Sequence, residues 1–550
     1  MKAKSTVCLL FVAVLLAGCA SHPTAHTSQA PQELRHLGHH RFKVTTQSAE
    51  AQRAFDRGLT LAYAFGHYAA EQEFRRAAQA DPECAMAWWG VALVNGPHIN
   101  FPSVTPDHAA TAWQALTQAK ALASRTRPLE QALIRALSQR YAQSQPQDRS
   151  SLDVAYATAM RNLWRTYPDN ADVGTLFAEA AMDLHPWDLW QADGPRPWTP
   201  EILTTLERAL QLDLKHPGAN HLYIHAMEAS PQPEKAVPAA DRLRKLVPDA
   251  SHLVHMPAHI YARVGRWGDA AQANREALKA DARYRTAYPR PGFYNMYMAH
   301  NAHFLTFAAM MQGRSDEALR CAHQMIAEVP DQFIKDYTPV ADGFLILESE
   351  ALMRFGRWEE ILAQPEPPPG LPLSRALWHF TRTSALTALD RTNAASAEKA
   401  AFEQAAAAVP KDWTFGNNSA TNLLQIASRV LAGEMAAQRG QWEAAIQALR
   451  EGVQIENTLR YNEPPDWIQP VRHTLGAVLL RAGKASEAAT VYREDLERYP
   501  ENGWSLMGLR DALRQQGKDA EARVVDKRCK KAWRQADVHP STTCYCQERR

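Results

Sequence analysis

Two glycines near the end of the chain, Gly483 and Gly517, stand 34 residues apart, each followed five residues later by an alanine, Ala488 and Ala522, with Pro500 between them. The same grammar appears in "FGHYAAEQEFRRAAQADPECAMAWWGVAL" (66–93), "VGRWGDAAQANREALKAD" (264–281), "MQGRSDEALRCAHQMIAEVP" (311–330), "FGRWEEI" (355–361) and "RGQWEAAIQALREG" (439–452). Each segment sets a glycine at a turn, an aromatic or small residue at the start of the next helix, and alanines where two helices must approach closely. Strand signals are almost absent. A single helical hairpin cannot bury its apolar face, so hairpins of this kind have to stack into a continuous core with a concave inner wall. A chain of 550 residues therefore reads as one long array rather than several compact domains.

This pattern resembles the tetratricopeptide repeat (TPR), a helix-turn-helix unit of 34 residues, over roughly residues 50–536. The resemblance implies an all-α, TPR-like solenoid of helical hairpins wound as a right-handed superhelix, with first helices lining the concave wall. Loops rich in Pro, Trp and Tyr interrupt the register at 95–108, 184–200, 284–295, 363–372 and 460–470, as loops with a packing or binding task do. The expected organisation is a signal at 1–18, a flexible tether at 19–45, an N-terminal array at 46–363, a Pro-rich linker at 364–372, a C-terminal array at 373–536 and a Cys-containing tail at 537–550.

The N-terminus carries Lys2 and Lys4, an apolar run from Val7 to Leu16, and then small residues. That is the anatomy of a secretory signal, too short to span a membrane. Leu16-Ala17-Gly18-Cys19 resembles the bacterial lipobox, which implies lipidation of Cys19 and attachment to the cell envelope; Ala20 and Ser21 after it imply the outer membrane in a host that has two. No other segment is apolar enough to cross a bilayer. The pairing of Cys529, Cys544 and Cys546 is left open: Cys529 with Cys544 or Cys546 is one way to staple the tail, and the Cys544-Tyr545-Cys546 pair reads as a disulfide or idle thiols before a metal site. The formal charge of +2, with both signs interleaved, leaves no basic stripe for nucleic acid.

The functional signal is histidine. In "HPGANHLYIHAMEAS" (216–230), Pro217 suits a first helical turn, and His221, His225 and Glu228 fall within about 60° of one another on the helix that follows. "SHLVHMPAHIYARVG" (251–265) offers His255 and His259 at the same positions one 34-residue step later. Neighbouring first helices would then set His221 beside His255 and His225 beside His259. The next first helix, "NMYMAHNAHFLTFAAMM", supplies His300 and His303, and His252 is a possible seventh. Pro257 predicts a break or kink between His255 and His259.

Imidazole pairs at helical spacing on facing helices, with a nearby carboxylate, are the ligand set of a Zn, Fe, Cu or Mn site. The set His221, His225, His255, His259, His300, His303 and Glu228 exceeds one tetrahedral shell, so it suits two metals or one metal with a further layer of histidine. Glu228 is the candidate ligand or catalytic base. Two functional classes follow: a metal-dependent hydrolase or oxidoreductase, and a non-enzymatic scaffold whose groove holds a peptide or cell-envelope protein partner. Glu179, Asp183, His185, His98, Asn100, Tyr461, Glu463 and Asp466 are weaker candidates, and Trp187 sits one step before His221. The chain further resembles a bacterial group of exported TPR proteins in segments that here run Asp81 to Ala92, His221 to Glu228, His255 to Tyr261 and Tyr461 to Trp467. That resemblance implies fold and export, and no particular activity.

Overall fold

The computed structural model describes residues 33–547 apart from 192 and 290. The signal segment, the lipobox with Cys19 and the first part of the tether lie outside the described residues. The described chain is a succession of antiparallel helical hairpins, with only two pairs of two-residue strands, Trp190–Gln191 with Gly194–Pro195 and Thr414–Phe415 with Asn418–Ser419. It is an all-α, TPR-like solenoid. No helix among the described residues is long and apolar enough to cross a membrane.

One local device repeats at the hairpin turns. Gly265, Gly313, Gly356, Gly440, Gly483 and Gly517 all take φ between 67° and 76°, the left-handed region that an L side chain disfavours. The next residue's N–H then reaches back five residues to close the preceding helix: Arg266 to Tyr261 O, Arg314 to Ala309 O, Gln441 to Ala436 O, Lys484 to Leu479 O and Lys518 to Leu513 O. This capping geometry is why the sequence repeats a glycine where each hairpin turns. Phe65 (φ 54°) and Asp390 (φ 58°) do the same without glycine.

Two large cores meet near Ile346 and Leu347, earlier than the Pro-rich segment 364–372, which lies between the helices Trp358–Ala363 and Pro372–Ala388. The C-terminal array folds back on the N-terminal one. The Trp504 indole donates to Met310 O at 2.7 Å, the Trp267 indole donates to Pro500 O at 2.8 Å, and the Asp537 carboxylate accepts from the Ser315 and Asp316 amides.

Residues 33–45 differ from the expected tether. Leu34, Leu37, Phe42 and Val44 are buried in the first core, and the Asp249 carboxylate accepts from the Arg35 and His36 amides. Four apolar residues in an otherwise polar stretch suffice to dock it. Of the cysteine pairings left open, the structure has Cys544 joined to Cys546, while Cys529 is a buried free thiol against Gly503 O and Cys84 and Cys321 are buried free thiols elsewhere.

Candidate metal centre

Three first helices carry the histidines: Pro217–Glu228, the pair Ser251–His255 and Pro257–Arg263, and Asn295–Met311. Pro217 and Pro257 both stand in first turns, where a missing N–H costs nothing. The break at Met256–Pro257 changes the register from the one expected. His221 meets His252, 31 residues on, with their Nε2 atoms 3.1 Å apart, and not His255. His225 and His259 do approach, with ring centroids 6.2 Å apart.

The result is two trios. His221, His225 and His252 each bring one ring nitrogen within 4.8 Å of the others, and so do His255, His259 and His300. In the second trio, Nε2 of His259 lies 2.8 Å from Nε2 of His255 and 3.5 Å from Nε2 of His300. Five of the six are buried, and His300 is partly so. His303 stands apart: it is three residues further along its helix, with its ring 6.5 Å from that of His300 and 5.4 Å from Phe344, in an apolar pocket of about 90 Å³. His252, the seventh candidate in sequence, takes the place beside His221 expected of His255.

What surrounds the trios decides where their protons sit. His221 Nδ1 is 2.7 Å from Tyr63 O, a carbonyl that can only accept, so Nδ1 carries the hydrogen and Nε2 the lone pair. His255 Nδ1 is 2.7 Å from Asn274 Oδ1, and the Asn274 amide is oriented by its own donation to Ala270 O. Glu228 serves both trios: Oε1 lies 2.8 Å from His225 Nδ1 and Oε2 lies 2.6 Å from His259 Nδ1. Expected as a ligand or base, Glu228 instead has both oxygens turned to the outer nitrogens of histidines, because its place at i+3 from His225 directs it to Nδ1 rather than to the Nε2 atoms. Burial would raise its carboxyl, but His259 and His225 outweigh that and hold it down to about 2.

His221, His252, His255 and His300 are all held well below the usual imidazole range, first by burial and then by neighbouring histidines. They are neutral at ordinary pH. Phe65 walls the first trio, with its ring 4.6 Å from His221 and 5.6 Å from His252, and Tyr297 lies 4.4 Å from His252. Sequence reasoning did not single out Asn274, Tyr63 or Phe65. Asn274 had a signal, being a polar residue in the alanine-rich packed face of Trp267–Ala287; Tyr63 acts through its carbonyl and left none.

A cavity of about 860 Å³ opens beside this centre, lined by His225 and Glu228 and by the two aromatic loops. One loop brings Trp187, edge-on to His225 at 5.5 Å and in the left-handed region at φ 58°. The other brings Tyr461, Glu463 and Asp466, and it is pinned from outside: Asn418 Nδ2 donates to Asp466 and to Arg460 O, and Asn417 Nδ2 donates to Tyr461 O. Glu179 and Asp183 lie elsewhere, Asp183 paired with Arg140 at 2.6 Å. His185 stacks on Trp198 and His98 on Phe65.

No family model and no curated protein matches the chain. Solved structures similar to it are long-chain assemblies at low identity. The human IFIT1 dimer with m7Gppp-AAAA is 12% identical, with 90% of this chain and 92% of that one covered and a TM-score of 0.32. The APC/C hetero-tetramer Cut9-Hcn1 is 12% identical over 87% and 76%, at 0.32. Naa15/Naa10 bound to HypK-THB is 13% identical over 89% and 90%, at 0.24. The fold assignment rests on the hairpins and turns of this chain itself.

Proposed function

We propose that the two trios each hold one transition-metal ion, and that the chain is a two-metal enzyme acting on a substrate in the adjoining cavity. The observation that carries this is the pair His255–His259. His255 Nδ1 is committed to Asn274, Glu228 Oε2 stands 2.6 Å from His259 Nδ1, and the two Nε2 atoms face each other at 2.8 Å. With both hydrogens on Nδ1 the two Nε2 lone pairs repel, and a cation between them removes the conflict. The buried His225 Nε2, without a hydrogen-bond partner, fits the same reading in the first trio.

Three imidazoles leave a coordination position open, as catalytic sites require. The outer partners Tyr63 O, Asn274 and Glu228 orient His221, His255, His225 and His259, a role that commonly governs metal affinity. When bound, such ions supply Lewis acidity and an activated water, or electron transfer if the metal is redox-active. Zinc therefore points to hydrolysis, and copper, iron or manganese to oxidation. The helical-repeat fold on its own also suits a scaffold; the cavity beside His225 and Glu228 favours the enzyme. The lipobox at Cys19 and the Cys544–Cys546 disulfide support a place in the oxidising cell envelope, with the chain held by lipid. The test is elemental analysis of the full chain after reconstitution. Two ions per chain are expected; none in wild type under any of the four metals would leave the scaffold reading.

A further inference from the structure

The charged groups on the cavity wall are unevenly matched. Among the acids, Asp188 pairs with Arg196, Glu456 with Arg472, Glu228 with its two imidazoles, and Asp466 with the amides of Asn417, Asn418 and Asn462. Glu463 is bonded to the Tyr461 hydroxyl and has no cation within ion-pair distance. Burial pushes its carboxyl up to about 7 against the opposing charge of Arg263, so it carries only part of a charge near neutral pH.

The bases differ. Arg263, Arg460 and Arg498 all line the cavity, and none has a carboxylate partner among the described residues. Arg263 donates only to Ser230 O, lies over the Tyr461 ring at 5.6 Å, and keeps a buried Nε without a partner. Arg460 donates to Trp187 O at 3.4 Å, tying the two loops together across the cavity mouth. Most guanidinium groups in this chain sit against an Asp or Glu, so three without one in a single cavity mark a local surplus of positive charge. Guanidinium forks match carboxylate and phosphate oxygens in plane and spacing. The indole of Trp187 and the ring of Tyr461 add flat apolar surface beside them, and about 860 Å³ is room for a ligand of drug-like bulk.

We propose that this cavity binds an organic anion, with its carboxylate or phosphate on Arg263, Arg460 and Arg498 and a flat ring or sugar face against Trp187 and Tyr461. This deepens the enzyme reading and rests on it only for what happens next to His225. Trp187 fits the role in a second way: a tryptophan held at positive φ is strained backbone, and strain of that kind is kept where a side chain must be aimed.

The test uses three probes with one ring and different charge, 4-nitrobenzoate, 4-nitrophenyl phosphate and the neutral 4-nitrobenzyl alcohol, titrated calorimetrically into the full chain after metal removal. At least one anion is expected to bind about tenfold or more tighter than the alcohol, and Arg460→Gln with Arg498→Gln to remove that preference while leaving the alcohol unchanged. Trp187→Ala is expected to weaken all three probes, which separates ring contact from charge. Which anion wins assigns carboxylate or phosphate. Equal binding of all three probes, no binding of either anion, or an anion preference that survives the arginine changes overturns the proposal. Removing the metal first keeps this outcome separate from the ion count, because a chain that binds two ions and no anion sinks this inference alone.

Discussion

The histidines of this chain fall into two kinds that burial does not distinguish. His473 and His216 are fully buried, like His221 and His255. His473 directs Nε2 to the Asp495 carboxylate at 3.0 Å, and His216 directs Nε2 to Asp172 at 3.2 Å while its Nδ1 caps a helix by accepting from the Ala219 amide. In the trios the order is reversed for His221, His225, His255 and His259: the acceptors stand at Nδ1, and Nε2 is the nitrogen turned to the other histidines. A histidine bonded to a carboxylate through Nε2 already has a partner at that nitrogen. One whose hydrogen is anchored at Nδ1 presents a lone pair, and rings of this kind together with His252 and His300 gather around two points as a ligand set.

The largest effect expected from this contrast is on ion count. His221→Ala with His225→Ala should lower the metal content of the full chain from two ions to one, and His255→Ala with His259→Ala should remove the other. His473→Ala should leave both. Elemental analysis reads all three directly, and a drop in the His473 variant would erase the distinction between the two kinds.

Next in size is a loss of stability without loss of metal. Asp495 Oδ2 accepts from His473, from Ser505 Oγ at 2.7 Å and from Asn502 Nδ2 at 3.1 Å. Asp495→Ala strands three buried donors at about 1–3 kcal/mol each before relaxation, so a loss of roughly 3 kcal/mol is expected in denaturant unfolding. The ion count should stay at two.

Glu228→Gln is the sharper probe of the trios. A carboxylate accepts from both Nδ1 hydrogens; an amide can accept from only one and presents N–H to the other. That second imidazole must move its hydrogen to Nε2, where the ion would bind. Affinity at one of the two sites should fall about 10- to 100-fold, the usual cost of losing an outer partner of a ligand histidine. Zinc titration by calorimetry should show two separated steps where wild type shows closely matched ones. An unchanged isotherm would mean that Glu228 does not set the tautomers.

The sequence made the fold legible because the left-handed cap at each turn demands glycine and close helix crossings demand alanine, and both are visible residue by residue. Helical spacing also put His221, His225 and Glu228 on one face. It did not give the register between helices, since that depends on how Pro257 breaks the helix that carries His252, His255 and His259. Nor did it show that residues 460–467 close over the inner wall, because their anchors, Asn417 and Asn418, lie about 40 residues away in sequence and act through backbone carbonyls as much as side chains. His303 passed every sequence criterion and failed on distance, as its place beyond His300 carries it past the second trio into the apolar pocket.

The smallest effect expected is a pH dependence at the carboxylate-bound kind. His40 lies 2.9 Å from Asp172, which also accepts from Tyr63 and His216. Burial alone would lower the His40 imidazole, but the hydrogen bond and charge of Asp172, aided by Asp213 and Asp56, raise it above the usual range. A raised folded value means that the charged pair stabilises the fold in full below the unfolded imidazole value near 6.5 and is lost as pH climbs through the folded one. His40→Gln should therefore cost about 1–2 kcal/mol at pH 6 and progressively less towards pH 8. Parallel thermal melts of wild type and variant across that range should converge as pH rises. Curves that stay parallel would place His40 with the uncharged rings of His221 and His255 and remove its claim to the other kind.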